Sequence, residues 1–228
     1  MLTLALANLI EAIPRSAQIL LDQDLEGAEY QILADDEMDE RTIEIEARCT
    51  SLLALHAPVA GELRRVVAVM KMAADVERAL DLVVNICRVA RRIHGHPLDP
   101  GLRGLILRMS GQAQMAFNGV LRAFLAENIN EAESVGAVDV DLDQTHRAFI
   151  QAIFESHAEG RIDLPIAVQM AVTGRFLERI GDHAVNCAGL IRYVITGDYP
   201  NVDVIRPHRR LLDETPIGGV RAPFEGRP

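Results

Sequence analysis

The sequence predicts an all-α protein of six helices, arranged as two tandem, pseudo-symmetric three-helix bundles. Three observations support this prediction. Aromatic residues make up 4% of the chain and Trp is absent, while 49% of residues are hydrophobic. Such a composition favours helices packed through aliphatic side chains over a β-sandwich. Capping residues and prolines divide the chain into long segments, and one half of the sequence repeats in the other.

The first half contains three predicted helices. The first covers residues 2–21, and we expect Pro14 to kink it because proline has no N–H to donate. Asp24 can cap a second helix that extends to about residue 55. Pro58 lies near the first turn of a third helix that ends around Ile93, a position that suits proline. The His-Gly-His-Pro sequence that follows is a linker, so the first unit is predicted to cover residues 1–97.

The second half repeats this pattern. A fourth helix begins near Gly101, a fifth begins after Asn128 or Asn130, and a sixth extends from about Pro165 to Val194. The second unit is therefore predicted to cover residues 98–198. The remaining residues, 199–228, are rich in Pro, Gly and Arg, and we predict a flexible tail.

An internal repeat relates the two halves. Residues 24–29 align without a gap with residues 128–133, and residues 77–85 align with residues 178–186. The residue numbers differ by 104 in the first match and by 101 in the second, which an insertion or deletion in the intervening loop explains. Two ordered polar matches at nearly the same spacing indicate that the halves are duplicates.

Each half carries the same two rows of polar residues, which are the candidate metal ligands. They are Asp35, Asp39, Glu77, Asp81 and Asn85 in the first half, and Asp139, Asp143, Glu178, Asp182 and Asn186 in the second. Residues four apart differ by only about 40° around a helix axis, so each row lies on one face. Like charges at this spacing repel unless something compensates them.

Two kinds of compensation are consistent with the residues alone. Arg78 and Arg179, next to the glutamates, could pair with carboxylates, and the rows would then be solvated acidic faces. Alternatively, cations could bind between the helices, because carboxylate and amide oxygens are hard ligands suited to Mg²⁺, Mn²⁺ or iron. Recurrence in both halves favours the metal interpretation.

Composition and motifs also exclude several functions. The net charge of −10 argues against binding to nucleic acid. The apolar start lacks a basic region and is interrupted by Glu11, and no run reaches the roughly 18 apolar residues of a membrane span. With three scattered cysteines, this predicts a cytoplasmic protein without membrane insertion. No phosphate loop, nucleophile elbow or Glu-x-x-His pair is present, so we predict no enzymatic activity.

These motifs resemble the PhoU family. The string Glu-Arg-x-x-Asp-x-x-x-Asn, found at residues 77–85 and 178–186, is similar to that family's signature. Residues 58–64 resemble its Pro-Val-Ala-x-x-Leu-Arg entry to the third helix. The second-half motif at residues 175–186 matches closely, as does the Tyr-Val-Ile-Thr-Gly sequence that ends at Gly197. The resemblance covers nearly everything from Leu6 to Gly197.

The resemblance implies a fold, a function and partners. PhoU proteins consist of two three-helix bundles whose acidic motifs bind metal ions, here Mg, Mn, Fe or Zn. The family negatively regulates phosphate uptake and phosphate-starvation signalling, as an adaptor between the ATPase subunit of the phosphate ABC transporter and a sensor histidine kinase. A homodimer is expected. The carboxylates listed above fall on the family's ligand positions, and Asn85 and Asn186 fall on its asparagine.

Three departures from the family pattern qualify the resemblance. Ala79-Leu80 replaces the usual Ile-Gly and Leu82 replaces the usual His, which predicts a weaker first site. The chain begins inside the family's first helix, and the tail after Gly197 is longer than usual. The alternative functions are a metal-binding or storage bundle and a di-metal carboxylate enzyme, neither with a signalling role.

Overall fold

The computed structural model describes residues 1–198, and the side chains of all of these except residues 35–38. The described part of the chain forms seven α-helices. They are α1 (Leu2–Asp22), α2 (Leu25–Leu33), α3 (Asp35–His56), α4 (Ala60–Arg92), α5 (Pro100–Ala126), α6 (Ile129–Ala158) and α7 (Leu164–Thr196). The all-α prediction is confirmed, and the predicted tail lies outside the described residues.

The prediction of six helices is wrong by one, because the second predicted helix is divided at Ala34. The N–H of Ala34 bonds back to the carbonyls of Tyr30 and Ile32 and closes α2, and α3 begins at the next residue. The sequence there places Asp35, Asp36 and Glu37 together. Asp is poor in a helix interior, whereas both Asp and Glu are favourable in a first turn, where the helix dipole is positive. A new helix N-terminus is therefore favoured at this point.

Side-chain caps lie at the N-termini of α2 and α6, two helices that the internal repeat relates to each other. The carboxylate of Asp24 accepts a hydrogen bond from the Gly27 N–H at 2.9 Å. The Asn128 side chain accepts from the N–H groups of Asn130 and Glu131. Each cap satisfies backbone donors that the first helical turn would otherwise leave without partners. The sequence predicted the Asp24 cap, and of the two residues it left open before the fifth helix, Asn128 and Asn130, the cap is Asn128.

Helix α1 continues through Pro14 with the help of α5. Proline removes the N–H that would bond to the Ile10 carbonyl. The Gln114 side chain on α5 donates to that carbonyl at 3.0 Å. One turn further on, the Ser110 hydroxyl donates to the Ile13 carbonyl at 3.4 Å. The interrupted stretch of α1 is thus bound to the other half.

The helices form two bundles that pack through corresponding elements. Helices α1 to α4 form the first bundle and α5 to α7 the second, while α4 packs on α7 and α1 packs on α5 across the boundary. The repeat relates these same helices. Helices α4 and α7 are antiparallel, because Asp75 contacts His183 while Gly197 lies beside Arg64.

A single hydrophobic core extends through both bundles. The loop between α4 and α5 lies at the predicted boundary near residue 97. Because both bundles share one core, the division of the chain into two domains stays a prediction. In the described part of the chain, α1 is the one helix long and apolar enough to cross a membrane. Most of its apolar residues, including Leu6, Leu9 and Ile13, are buried inside the protein, while Leu4 is exposed.

Candidate metal sites between paired helices

A glycine on α7 allows one second-half carboxylate of α6 to approach closely. A Cβ atom at Gly181 of α7 would lie 2.9 Å from the Oδ1 atom of Asp139 and 2.6 Å from the Cδ2 atom of Leu142. The Asp139 carboxylate on α6 therefore lies directly against the α7 backbone, between the levels of Glu178 and Asp182. A side chain at position 181 would occupy the space that this approach requires.

The second-half carboxylates differ in burial. Glu178 and Asp139 are 6% and 7% exposed, while Asp143 and Asp182 are half-buried. Burying a charge is costly unless a partner compensates it. For Glu178 one such partner is Arg175, whose Nη1 atom lies 2.5 Å from Oε2 of the carboxylate. The sequence suggested Arg179 for this role, but the pairing arginine lies one turn earlier.

His146 extends the second-half row on α6. Its Nε2 atom is buried and has no hydrogen-bond partner among the described residues. The ring packs against Gly174 of α7. A Cβ atom placed on that glycine would lie 3.1 Å from the Cδ2 atom of His146. Burial, together with the charges of Arg175 and Arg147, lowers the pKa of His146. These surroundings therefore disfavour the charged imidazolium. The position of His146 three residues after Asp143 is the sequence signal that identifies it as part of the row.

The first-half carboxylates also face each other. Burial and the charge of Asp39 raise the pKa of Asp81, and Arg88 opposes this effect in part. Asp39 of α3 and Asp81 of α4 are therefore close enough to repel. Glu77 is half-buried on the same face of α4, and the side chain of Asp35 is not described.

The two rows have different surroundings. Leu80, only 5% exposed, occupies the position related by the repeat to Gly181. Ala74 corresponds in the same way to Arg175, and Thr42 to His146. The first half thus lacks the glycine, the arginine and the histidine that surround the second-half row.

The two predicted asparagine ligands have partners of their own. The Asn85 Oδ1 atom accepts a hydrogen bond from Arg88 at 2.9 Å. The Asn186 amide donates to Asp75 at 3.2 Å, and the buried His183 ring contacts the same Asp75 oxygen at 2.8 Å through Nδ1. Asp75 is also buried, so this polar cluster joins α4 to α7 inside the protein. No sequence pattern indicates a role for Asp75, because its partners lie about a hundred positions away.

The side chains of the acidic rows are of the right chemical type to bind a hard divalent cation, but the distances between them fit a bound cation less well. Carboxylates on facing helices are suitable donors for Mg²⁺ or Mn²⁺. Among the described residues, no group of three or more His, Cys, Asp or Glu side chains is close enough to hold a metal ion. The pairing of Glu178 with Arg175 is one contact that would have to change on binding. The ligand assignment stays a prediction.

Comparison with known proteins places the chain in a family. The family described as "PhoU domain" matches residues 3–90 and again residues 106–191, which supports the internal duplication. The chain is 31% identical over 195 residues to a phosphate-specific transport system accessory protein PhoU homolog from Mycobacterium leprae, covering 85% of this chain and 87% of the relative. A PhoU homolog from Deinococcus radiodurans is 31% identical over 188 residues, covering 81% and 86%.

Solved structures agree with the fold. A crystal structure of PhoU from Pseudomonas aeruginosa has a TM-score of 0.79 at 26% identity, covering 86% of this chain and 95% of its own. The phosphate transport system regulatory protein PhoU from Streptococcus pneumoniae has a TM-score of 0.81 at 24% identity, covering 88% and 94%. The relatives are named as accessory or regulatory proteins rather than enzymes. Since the family match covers most of the chain, once in each half, the chain belongs to the PhoU family.

Proposed function

We propose that this protein is a metal-binding, cytoplasmic negative regulator of phosphate uptake and phosphate-starvation signalling. It acts as an adaptor between the ATPase subunit of the phosphate ABC transporter and a sensor histidine kinase, and it forms a homodimer. The observation that carries the proposal is the PhoU-domain match in both halves, together with relatives named as phosphate-specific transport accessory proteins. The net charge of −10 supports action through other proteins rather than DNA.

In this proposal each bundle has its own cation site. Asp139, Asp143, Glu178 and Asp182 would hold the cation in the second half, and Asp35, Asp39, Glu77 and Asp81 in the first. A bound cation supplies positive charge to carboxylates that otherwise repel one another. Because the ligands lie on facing helices, binding would draw α6 to α7 and α3 to α4, which links the metal state to the shape of each bundle.

An exposed apolar surface supports a function based on contact. We call the end of the α3–α4 hairpin, with Leu52, Leu55, Val59 and Leu63, the hairpin tip. Leu55 is 79% exposed and Val59 is 73% exposed. Clustered apolar side chains in solvent are typical of protein interaction sites. The tip is therefore a candidate contact surface for the transporter or the kinase.

The test is a reporter of phosphate-starvation genes in cells grown with ample phosphate. Deletion of the gene should release the reporter, and the wild-type gene should restore repression. A tip variant, Leu55→Ser with Val59→Ser, should fail to restore it while folding normally by circular dichroism. Leu107→Ser, at an exposed position on α5, is the matched control. Normal repression after every family copy has been deleted would contradict the proposed function.

A further inference from the structure

A groove lies where the C-terminal end of α4 meets the first turns of α7, and we call it the α4–α7 groove. It has a volume of about 410 Å³, and its lining includes Arg92 and His96 on one side and the exposed Leu164 and Val168 on the other. The Oε1 atom of Gln169, which also lines the groove, is buried and has no hydrogen-bond partner among the described residues. The groove therefore offers apolar surface, positive charge and an unsatisfied acceptor.

The groove is positively charged in a chain of the opposite sign. Residues 86–98 contain three Arg, two His and no acidic residue, whereas the net charge of the chain is −10. The side chains of Arg92 and His96 are exposed, and neither has an ion-pair or hydrogen-bond partner in the part of the chain that the structure describes. Basic residues suit the C-terminus of α4 itself, but that role does not require apolar side chains beside them. An occupant with both acidic and apolar side chains fits this groove.

The chain itself has a segment of this character. Residues 24–46, which form α2 and about the first half of α3, contain ten Asp or Glu residues and one Arg, a net charge of −9. In the same segment Tyr30, Leu33 and Ile43 are 62%, 69% and 65% exposed. We call residues 25–33 and 39–46 the acidic surface. Nearly all of the net charge of the chain thus lies in one segment that also exposes large apolar side chains.

We propose that the α4–α7 groove of one copy binds the acidic surface of a second copy. This inference rests on the homodimer of the proposed function and names its interface. The two surfaces are neighbours on one copy, because Asp39 lies close enough to Asp81 of α4 to raise its pKa, and Arg92 follows Asp81 by about three helical turns. When neighbouring surfaces are complementary, a twofold rotation matches each with the other, so every contact occurs twice.

The two kinds of side chain contribute differently to this interface. Burial of Leu33 and Ile43 against Leu164 and Val168 supplies the affinity, because apolar area leaves water. Exposed charge pairs add little affinity and are screened by salt, but they select the partner and its orientation. The hairpin tip lies at the opposite end of α4, so this dimer leaves the tip free for another protein.

Sedimentation velocity of the full chain tests the interface. The wild type should be dimeric at low ionic strength and dissociate as NaCl is added. Arg91→Glu/Arg92→Glu and Glu40→Arg/Glu44→Arg should each be monomeric, with the dissociation constant raised roughly tenfold or more, because like charges meet at both contacts. An equimolar mixture of the two variants should dimerise again, because each copy then meets the opposite charge at both contacts.

The control is Arg108→Glu/Arg147→Glu, which changes the net charge equally at exposed positions on α5 and α6 and should stay dimeric. All variants should keep the circular dichroism spectrum of the wild type. A wild type that is monomeric at low ionic strength would overturn the homodimer, and this inference with it. Dimers of both reversed variants on their own would overturn this interface alone. A mixture that stays monomeric would overturn the pairing of the groove with the acidic surface.

A second readout locates the contact directly. A photo-crosslinking amino acid is placed at position 168, and the protein is mixed with unmodified copies labelled with ¹⁵N. Mass spectrometry should find cross-links from position 168 to labelled peptides of residues 24–46. Cross-links to other labelled segments, or none in protein that sediments as a dimer, would contradict the proposed contact.

Discussion

At the scale of single residues, Asp99 shows how one buried carboxylate can fix several elements. It precedes α5 and accepts hydrogen bonds from the Gly101 N–H at 2.7 Å and the Ser156 hydroxyl at 2.8 Å. The Arg161 Nε atom lies 2.8 Å from the same carboxylate. The start of α5, the end of α6 and the following loop therefore meet at one side chain.

We predict that Asp99 makes the free energy of unfolding depend on pH in the acidic range. Burial by itself raises the pKa of Asp99, but the Ser156 hydroxyl, the Gly101 N–H and the Arg161 charge together lower it below its usual value. Its stabilisation is therefore present above an unfolded-state pKa of about 3.9 and lost as pH falls through the lower folded-state pKa. Asp99→Ala should cost about 2 kcal/mol in urea unfolding at pH 7. The difference from wild type should shrink toward pH 2, and a constant difference would contradict the ionic role.

Gly181 provides a second residue-scale prediction. Gly181→Ala places a methyl group 2.9 Å from Asp139 and 2.6 Å from Leu142, so one of them must move. We expect a loss of about 1–3 kcal/mol in unfolding free energy, together with weaker Mn²⁺ binding in the second half. Gly111→Ala is the control, because a Cβ atom on this α5 glycine meets nothing within 4 Å. That substitution should stabilise the protein by up to about 1 kcal/mol, and a similar loss for both variants would refute the steric argument.

At the scale of elements, α5 contacts α1 at a point where α1 lacks one of its own backbone hydrogen bonds. Pro14 leaves the Ile10 carbonyl without its helical donor, and Gln114 replaces that donor from another helix. A proline within a helix is usually unfavourable on local grounds. Here Pro14 leaves the Ile10 carbonyl as an acceptor that only a contact with another helix satisfies. Helix α1 is therefore stable only within the assembled fold.

A double-mutant cycle tests this connection. Gln114→Leu should destabilise the protein by about 1–2 kcal/mol, because the buried Ile10 carbonyl loses its donor. In a Pro14→Ala background the backbone N–H returns, and the same substitution should cost markedly less. Thermal unfolding of the four proteins gives the coupling energy. A coupling near zero would show that Gln114 acts through packing instead.

Helices and their polar faces could be predicted because they depend on neighbours along the chain. Asp24 and Asn128 cap helices through residues two or three positions away, and the spacing of four places Glu178 and Asp182 on one face. The break at Ala34, the role of Gln114 and the contact of Asp75 with His183 depend on where separate helices meet. Arg175 was missed for a related reason, because either neighbouring arginine could have paired with Glu178 and the sequence does not show which side chain turns inward.

At the scale of the whole molecule, the bundles are connected by a polar cluster within an apolar interface. His183 and Asn186 of α7 both contact Asp75 of α4. Such groups are costly to bury without partners, and they fix one alignment of the two helices. The positions that the repeat relates to Asp75 and His183 are occupied by Phe176 and Leu82, both apolar.

We predict that this cluster specifies alignment more than it adds stability. Asp75→Leu leaves His183 without its partner and should cost about 2–3 kcal/mol. Asp75→Leu with His183→Leu removes both polar groups and should recover much of that loss. Chemical denaturation of the three proteins checks the order of stability. If the double variant were less stable than the single one, the cluster would be a net source of stability.

The packing of α4 on α7 and of α1 on α5 has an evolutionary consequence. Each helix at the boundary meets its own duplicate, which is the geometry of an isologous interface in a twofold homodimer. In such a dimer every substitution occurs on both sides at once, so a carboxylate could not face a histidine on one side and leave hydrocarbon at the mirror position. Joining the copies in one polypeptide removes that restriction. Two such asymmetries are present: Asp75 lies opposite His183, and Arg175 has no equivalent beside Glu77. Only a fused pair of subunits can acquire them, and they allow the two halves of the chain to have different functions.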